Sequence, residues 1–362
     1  MLKPREAIRT LPSYHPPLAG RTGLRLDFNE NTVGCSPRVL ERLRQISSDD
    51  LARYPERHAA EEKLASFLGV DTDQVLLTNG VDEAIHLLCQ TYLGPGDEAL
   101  IVVPTYSMYR IYMMAAGADV TEIPAGKNFQ FPTADLLGCI SDRTKLIAIA
   151  NPNNPTGVLV SQNELAQIAS DAPSAAVLVD EAYFEFCGQT ALGLLKEHPN
   201  VFVARTFSKA YGLAGLRLGA LIGSQEQMEI VRLACSPYNV NAVALACLPA
   251  ALADAEYVQT YVRDVLYSRA RLEQFLQEQG MTFWKSHANF VLFRVGSTKA
   301  DSVAFADSMR RQGILVRDRS SDYGCEGCVR VTLGPREQTH RLLDALRMTL
   351  ERLETQPRVV RR

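Results

Sequence analysis

The sequence predicts an α/β protein, with a large domain built on a mostly parallel sheet flanked by helices and a smaller α+β domain. Three observations support this prediction. The 362 residues exceed what one hydrophobic core usually supports, so two domains are expected. Strand-like and helix-like segments alternate through residues 73–206, which is typical of a parallel sheet with helical crossovers. After residue 248 the pattern changes to a long helical stretch followed by short strands.

Strands in the large domain are predicted where short apolar runs end at turn or polar residues. The helix Val81–Tyr92 has apolar residues at helical spacing, and a second helix, Ser161–Ser170, begins with Ser161 as N-cap and Glu164 three residues later. This spacing predicts a capping box. The predicted strands are Asp73–Thr78, Glu98–Val103, Thr144–Ala150, Ala175–Asp180 and Val201–Ala204.

The small domain is predicted to begin with a mostly helical stretch, Leu248–Gly280, and to close with a helix from Pro335. The Pro-rich segment Leu11–Pro17 is expected to form an arm that lies on another surface. The domain boundaries that follow are 1–40 for the arm and a small-domain segment, 41–244 for the large domain and 245–362 for the small C-terminal domain. The remaining predicted elements are the strands Met281–Lys285, Asn289–Val295, Ile314–Arg317 and Cys328–Leu333 and the helix Lys299–Gln312.

Composition excludes several classes of protein. The net charge of −3, from 38 basic and 41 acidic residues, argues against a general nucleic-acid or membrane-surface binder. No apolar run reaches the roughly 18 residues of a spanning helix, and no apolar region follows the first residues, so a cytoplasmic protein is expected. The eight cysteines are expected to be reduced. Cys325 and Cys328 have metal-ligand spacing without a second Cys or His pair, so no metal site is expected.

The segment Thr206–Arg217 carries the most specific chemistry. It places Lys209 directly after Ser208 and three residues after Thr206, with Arg217 eight residues later, in an otherwise apolar, Gly- and Ala-rich stretch. A lysine amine forms a Schiff base with an aldehyde, and hydroxyl and guanidinium groups bind a phosphate. Pyridoxal 5′-phosphate needs this combination. Taken alone, the segment is also consistent with a solvated loop lysine and a surface arginine.

Further polar residues follow the predicted strands, at the edge where ligands bind in parallel sheets. Asp180 ends an apolar strand, where an ionised carboxylate needs a cationic partner such as a protonated pyridinium nitrogen. Tyr183 and Asn154 are candidates to hydrogen-bond the phenolic oxygen of the cofactor. Each of the three is alone equally consistent with turn, cap or half-buried packing positions.

A second phosphate contact is predicted where a helix begins directly after a strand. Gly80, Val81 and Asp82 open that helix, whose free N–H groups and dipole favour an anion. An ordinary strand–helix turn is the alternative. Neither a dinucleotide fingerprint nor a Walker lysine accompanies the turn, which disfavours nucleotides.

Together, these motifs resemble those of the fold type I, class I/II pyridoxal-phosphate aminotransferases, over essentially the whole chain. The motifs that carry the resemblance are Asn153–Gly157, Asp180–Tyr183, Ser208–Lys209 and Arg217, in this order and spacing. Within that family the chain is most similar to the histidinol-phosphate aminotransferases. This similarity rests on Asp27–Asn31, Arg53–Glu56, Gly80–Glu83, Pro104–Tyr106, Asp180–Phe186, Gly313–Asp318 and Val329–Gly334.

The resemblance implies a role for each matching residue. Lys209 would form the Schiff base and then move the substrate proton, and Tyr106 would stack on the pyridine ring. Tyr54 would reach the cofactor phosphate of a partner subunit, which implies a homodimer. Arg330 would bind the α-carboxylate of glutamate, a role favoured by the cost of an unpaired guanidinium in an apolar strand.

Arg317 would help to bind the phosphate of the second substrate, with Tyr14 of the arm closing over it. Alternatively, Arg317 is simply solvated and Tyr14 is a packing anchor. The implied reaction exchanges an amino group between L-glutamate and imidazole-acetol phosphate, which becomes L-histidinol phosphate. The alternatives are an aromatic or broad-specificity aminotransferase, a phosphothreonine decarboxylase-like enzyme and a non-catalytic pyridoxal-phosphate-binding regulator.

Overall fold

The computed structural model describes residues 2–9, 11 and 20–355. Its strands, in chain order, are β1 Leu24–Arg25, β2 Val75–Thr78, β3 Glu98–Val103, β4 Asp119–Pro124, β5 Thr144–Ala150, β6 Ala176–Asp180, β7 Val201–Thr206, β8 Gly219–Ile222, β9 Phe290–Arg294, β10 Ile314–Leu315, β11 Arg317–Asp318 and β12 Cys328–Thr332.

The helices surround these strands. They are α1 Glu6–Arg9, α2 Pro37–Arg44, α3 Ser48–Ala52, α4 His58–Leu68, α5 Val81–Tyr92, α6 Met108–Ala116, α7 Thr133–Gly138, α8 Gln162–Asp171, α9 Gln225–Ala234, α10 Ala242–Leu252, α11 Ala255–Glu278, α12 Lys299–Arg311 and α13 Arg336–Thr355. Among the described residues, none of these helices combines the length and apolar character needed to cross a bilayer.

The large sheet has the order β2-β8-β7-β6-β5-β3-β4 within the described residues. Strands β7, β6, β5, β3 and β4 run parallel, and β8 is antiparallel to both of its neighbours. Consecutive residues such as Leu178 and Val179 enter two separate apolar layers, one on each face of the sheet. Burial on both faces explains the continuous apolar runs of these strands. The predicted α/β fold with a mostly parallel sheet is confirmed.

Two smaller sheets complete the fold. Strands β11, β12 and β9 form an antiparallel sheet, and β1 pairs with β10 in parallel. Because β1 lies near the start of the chain and β10 near its end, the N-terminal segment packs with the C-terminal elements. This pairing is consistent with an N-terminal small-domain segment. The boundaries at residues 40 and 244 stay a prediction.

Sequence patterns within single helices and strands predicted most elements of the large domain correctly. Helix α5 and strands β3 and β5 have the predicted bounds, and the Ser161–Glu164 capping box is present at the start of α8. Strands β4 and β8 were not predicted. The edge strand β4 is half-exposed and β8 has only four residues, so neither has a long apolar run.

The mostly helical stretch predicted at 248–280 is confirmed, and it consists of two helices, α10 and α11, separated at residues 253–254. Two strand predictions for the small domain were wrong in detail. The strand predicted at Met281–Lys285 is a single bridge between Phe283 and Phe293. The predicted strand Ile314–Arg317 divides into β10 and β11, because its two halves pair with different strands.

A buried ion pair ties β7 to the turn after β6. Nε of Arg205 donates to a Glu181 carboxylate oxygen at 2.7 Å, and the two side chains are 7% and 0% exposed. Arg205 also donates to the Thr190 hydroxyl at 2.9 Å, and its guanidinium lies 3.5 Å from the ring centre of Phe184. The pair fixes the turn that follows Asp180.

Replacing Arg205 by Met should destabilise the protein by about 3–5 kcal/mol, because Glu181 is left buried without its counter-charge. The measurement is the free energy of unfolding from urea titration. The matched control is Arg143→Met, which breaks an exposed pair with Asp119 and should cost less than about 1 kcal/mol. Equal losses in the two variants would contradict the interpretation.

Candidate active site

A cavity of about 560 Å³ lies at the carboxyl ends of the parallel strands. Residues after β5, β6 and β7 form its floor, the start of α5 forms one side, and β11 and β12 form the opposite wall. Parallel strands bring their carboxyl ends to one edge of the sheet. Polar residues far apart in the sequence therefore meet here.

Lys209 lies in this cavity, three residues after β7. Its Nζ donates to the carbonyl oxygen of Phe28 at 3.1 Å. Burial lowers the pKa of Lys209 to about 8, and the positive charge of Arg330 contributes further. A large fraction of the amine is therefore neutral near pH 8, as a nucleophile or a base requires.

Asp180 ends β6 and is almost fully buried. Its carboxylate accepts hydrogen bonds from the Tyr109 hydroxyl at 2.6 Å and the Ala182 N–H at 3.0 Å. Burial raises the pKa of Asp180 to about 6 in spite of both bonds. The protein thus holds a desolvated carboxylate that a nearby cation would stabilise.

Tyr183 and Asn154 both line the cavity, and they follow strands β6 and β5 of the large sheet. The hydroxyl of Tyr183 accepts from Nδ2 of Asn29 at 2.9 Å, and Asn154 Oδ1 accepts from an Arg330 Nη at 2.5 Å. The other Nη of Arg330 donates to the carbonyl of Asp27 at 2.8 Å. These contacts leave the Tyr183 hydroxyl hydrogen and the Asn154 amide N–H groups to donate to a ligand.

Arg330 is buried although it carries a charge. Burial is the main cause of its lowered pKa, about 9, and the positive charge of Arg319 adds to the effect. Its Nε is buried without a hydrogen-bond partner among the described residues. A bound anion would compensate this charge and satisfy the remaining donor.

The residues predicted to hold a phosphate lie together at the start of α5. Val81, Asp82, Thr206, Ser208 and Arg217 all line the cavity. Arg217 donates to the Asp82 carboxylate at 3.1 Å, and the Tyr106 hydroxyl donates to its other oxygen at 2.9 Å. The cavity thus brings the predicted ring-stacking residue Tyr106 next to the predicted phosphate contacts.

Two glycines shape this corner. Gly80, at the cap of α5, has φ of 78°, and a Cβ there would lie 2.3 Å from a nitrogen of Arg217. A Cβ on Gly219 would lie 2.7 Å from the carbonyl carbon of Gly80. Both positions require glycine, so that the backbone at the start of α5 can approach β8 and Arg217 closely.

Arg317 lines the opposite wall, with its guanidinium 5.2 Å from the ring centre of Phe28. Tyr54 does not line the cavity of its own chain. It is 78% exposed and stacks on Tyr238, with 4.2 Å between ring centres. Tyr14 lies outside the described residues.

Sequence reasoning missed three residues of the site. Tyr109 lies three residues after Tyr106, in the first turn of α6, and the two ring centres are 5.7 Å apart, so the sequence could have suggested it as a neighbour of the predicted stacking residue. Asn29 was used only as part of a family motif, although its buried side chain bonds Tyr183. Arg319 follows Arg317 by two residues, a spacing that puts two strand residues on one face.

Comparison with known proteins decides the family. The model of the family described as aminotransferase class I and II matches residues 21–346. The chain belongs to this family. Histidinol-phosphate aminotransferase 2 of Legionella pneumophila (strain Lens) is 35% identical over 361 residues, covering 95% of this chain and 97% of the relative. The family resemblance seen in the motifs is confirmed.

Solved structures support the fold of this aminotransferase. The crystal structure of histidinol-phosphate aminotransferase from Sinorhizobium meliloti in complex with pyridoxal-5′-phosphate has a TM-score of 0.88 at 24% identity, covering 98% of this chain and 99% of that one. A putative aminotransferase from Burkholderia pseudomallei has a TM-score of 0.80 at 29% identity, covering 92% and 100%.

The raised pKa of Asp180 predicts that this carboxylate destabilises the cofactor-free protein. Above pH 6 the folded protein buries a charge, whereas the unfolded chain ionises freely from pH 3.8. Asp180→Asn should therefore stabilise the cofactor-free protein at pH 8, by up to about 3 kcal/mol. The gain should shrink as the pH falls from 6 to 4, because both states then become protonated.

Urea unfolding at pH 4 and pH 8 checks this prediction. Asp119→Asn, at an exposed carboxylate, is the control and should show little pH-dependent difference. A loss of stability in Asp180→Asn at pH 8 would show that its two hydrogen bonds outweigh the burial of charge.

Proposed function

We propose that this aminotransferase uses pyridoxal 5′-phosphate to exchange an amino group between L-glutamate and imidazole-acetol phosphate, giving 2-oxoglutarate and L-histidinol phosphate for L-histidine biosynthesis. One observation carries the proposal: a single cavity combines the buried amine of Lys209, the buried carboxylate of Asp180 and a wall of arginines. The names and coverage of the relatives support the choice of substrates.

The donors and acceptors of the cavity fit the cofactor. The carboxylate of Asp180 is desolvated, so a protonated ring nitrogen is its natural partner. Val81 and Asp82 line the cavity, and Gly80 has no side chain to cap the first N–H groups of α5. Together with Thr206, Ser208 and Arg217 they form a site for the cofactor phosphate. Tyr106 would stack on the ring.

When bound, pyridoxal phosphate supplies an aldehyde that reacts with amines and a ring that accepts the electron pair released at the substrate Cα. Lys209 would hold the cofactor through Nζ and, once free, would take the proton from the substrate Cα. Its pKa, lowered to about 8 by burial in the cofactor-free protein, favours the neutral amine that such a base requires. Tyr183 and Asn154 would donate to the phenolic oxygen of the cofactor and so tune the basicity of the reacting nitrogen.

The arginines hold the substrates. Arg330 is proposed to bind the α-carboxylate of glutamate, because its buried charge lacks a carboxylate partner among its hydrogen bonds to Asn154 and Asp27. Arg317 is proposed to bind the phosphate of the second substrate. Tyr14 is proposed to close over that phosphate.

A homodimer would complete the site. Tyr54 is exposed and stacked on Tyr238, and it does not line its own cavity, so its proposed contact with the cofactor phosphate requires a partner subunit. Exposed apolar residues nearby in the chain, such as Leu51 and Leu233, are consistent with an interface. A cytoplasmic location stays a prediction.

Absorbance of the bound cofactor tests the reaction directly. Glutamate should convert the aldehyde form to the amine form, and imidazole-acetol phosphate should convert it back. Keto acids with aromatic side chains should do so more than about 10-fold more slowly at equal concentration. Faster recovery with an aromatic keto acid would favour the broad-specificity alternative, and release of CO₂ from phosphothreonine would favour a decarboxylase.

Lys209→Ala should reduce turnover by more than about 1000-fold, because both the bond to the cofactor and the proton transfer are lost. Circular dichroism should show an unchanged fold. Lys285→Ala, at an exposed lysine, is the matched control and should keep wild-type turnover. Full transamination by Lys209→Ala would refute the assignment.

The shared site predicts complementation between two inactive variants. A dimer of one Tyr54→Ala subunit and one Lys209→Ala subunit contains one site with both residues intact. Random subunit exchange should therefore restore about a quarter of wild-type activity, since half of the dimers are hybrids and half of their sites are complete. No recovery in verified hybrids would mean that Tyr54 acts on its own subunit or outside the site.

A further inference from the structure

The wall formed by β11 and β12 carries three arginines that face the cavity: Arg317, Arg319 and Arg330. Arg317 pairs with Arg330 in the antiparallel register, so their side chains lie on the same face of the sheet. The N–H of Arg319 bonds the carbonyl of Cys328 at 3.0 Å, which continues this pairing by one step. Arg319, two residues after Arg317, therefore points to the same side.

Arg319 is held in place rather than solvated. Its guanidinium forms an ion pair with Asp322, and its side chain is 15% exposed. The N–H of Asp322 donates to the carbonyl oxygen of Arg319 at 2.9 Å. The N–H of Cys325 donates to the carbonyl oxygen of Asp322 at 3.1 Å. The loop that carries the ion pair is thus a compact turn fixed by its own backbone.

These three guanidiniums repel one another across a largely desolvated wall, and Asp322 offsets only part of the charge. The lowered pKa of Arg330 has burial as its main cause and both Arg319 and Arg317 as contributors. An anion that enters the cavity relieves this repulsion. A dianion relieves it more than a monoanion does, because Coulomb energy scales with charge.

We propose that Arg319 is a specificity residue that makes the cavity favour a phosphate dianion over a carboxylate. The inference rests on the proposed function. Glutamate presents a singly charged carboxylate next to its amine. Histidinol phosphate is the phosphate ester of an amino alcohol, and it presents a double charge and a third terminal oxygen at that end. Arg319 supplies the additional positive charge and donors beyond Arg330 and Arg317.

The two half-reactions of the cofactor-loaded enzyme separate this role from a structural one. In Arg319→Gln, the ratio of kcat/KM for histidinol phosphate to kcat/KM for glutamate should fall by about 10- to 100-fold, the loss expected for charge-assisted hydrogen bonds. Arg319→Lys should recover part of the ratio, because it keeps the charge. Arg336→Gln, an exposed arginine paired with Asp264 outside the cavity, should leave the ratio unchanged.

Binding of inorganic phosphate to the cofactor-loaded enzyme, measured by calorimetry, gives a second readout. Affinity should fall at least about 10-fold in Arg319→Gln and by less in Arg319→Lys. Equal losses in the two half-reactions, or unchanged phosphate affinity, would overturn the inference. A wild-type enzyme that does not react with histidinol phosphate would instead overturn the proposed function, and the inference with it.

Discussion

The site depends on one short stretch of chain, residues 27–31, that lies between the large sheet and the small ones. The carbonyl of Asp27 accepts from Arg330 of β12, and the carbonyl of Phe28 accepts from the Lys209 amine. Asn29 bonds both Tyr183 and Thr332, and Asn31 donates to the carbonyl of Ala210. Groups from both ends of the chain are thereby fixed relative to one another. Asn29 adopts a left-handed φ of 56°, which Asn tolerates better than most residues.

This arrangement stabilises groups that would otherwise be unfavourable. Lys209, Asp180 and Arg330 are each buried, and burial shifts all three pKa values toward the neutral form. Burying these charged groups costs free energy, which the packing of strands β5, β6 and β7 offsets. These strands are buried almost throughout and form the floor of the cavity. The site is thus built to receive charges from outside: a cation beside Asp180 and anions beside Arg330 and Arg319. Such preorganisation is typical of catalytic sites.

How much the sequence could predict depended on the range of the interaction. The bounds of β3 and β5 and the capping box at Ser161 follow from residues within one element, and all were predicted. The split between β10 and β11 depends on pairing with Leu24–Arg25, at the other end of the chain, and no local pattern contains that partner. Tyr109 is likewise 71 residues from Asp180, and Asn29 is 303 residues from Thr332. Spacing predicted the residue types of the site but not their partners.

One Nη of Arg330 donates to Asn154, in the loop that follows β5 of the large sheet, and the other donates to the carbonyl of Asp27, in the N-terminal segment. The side chain proposed to bind a substrate therefore also connects the loop after β5 to the N-terminal segment by hydrogen bonds. Kinetic losses on truncating it would mix weaker recognition with loosened architecture, so they cannot be read as the worth of a single contact. Only a cycle that also alters Asn154 would separate the two contributions.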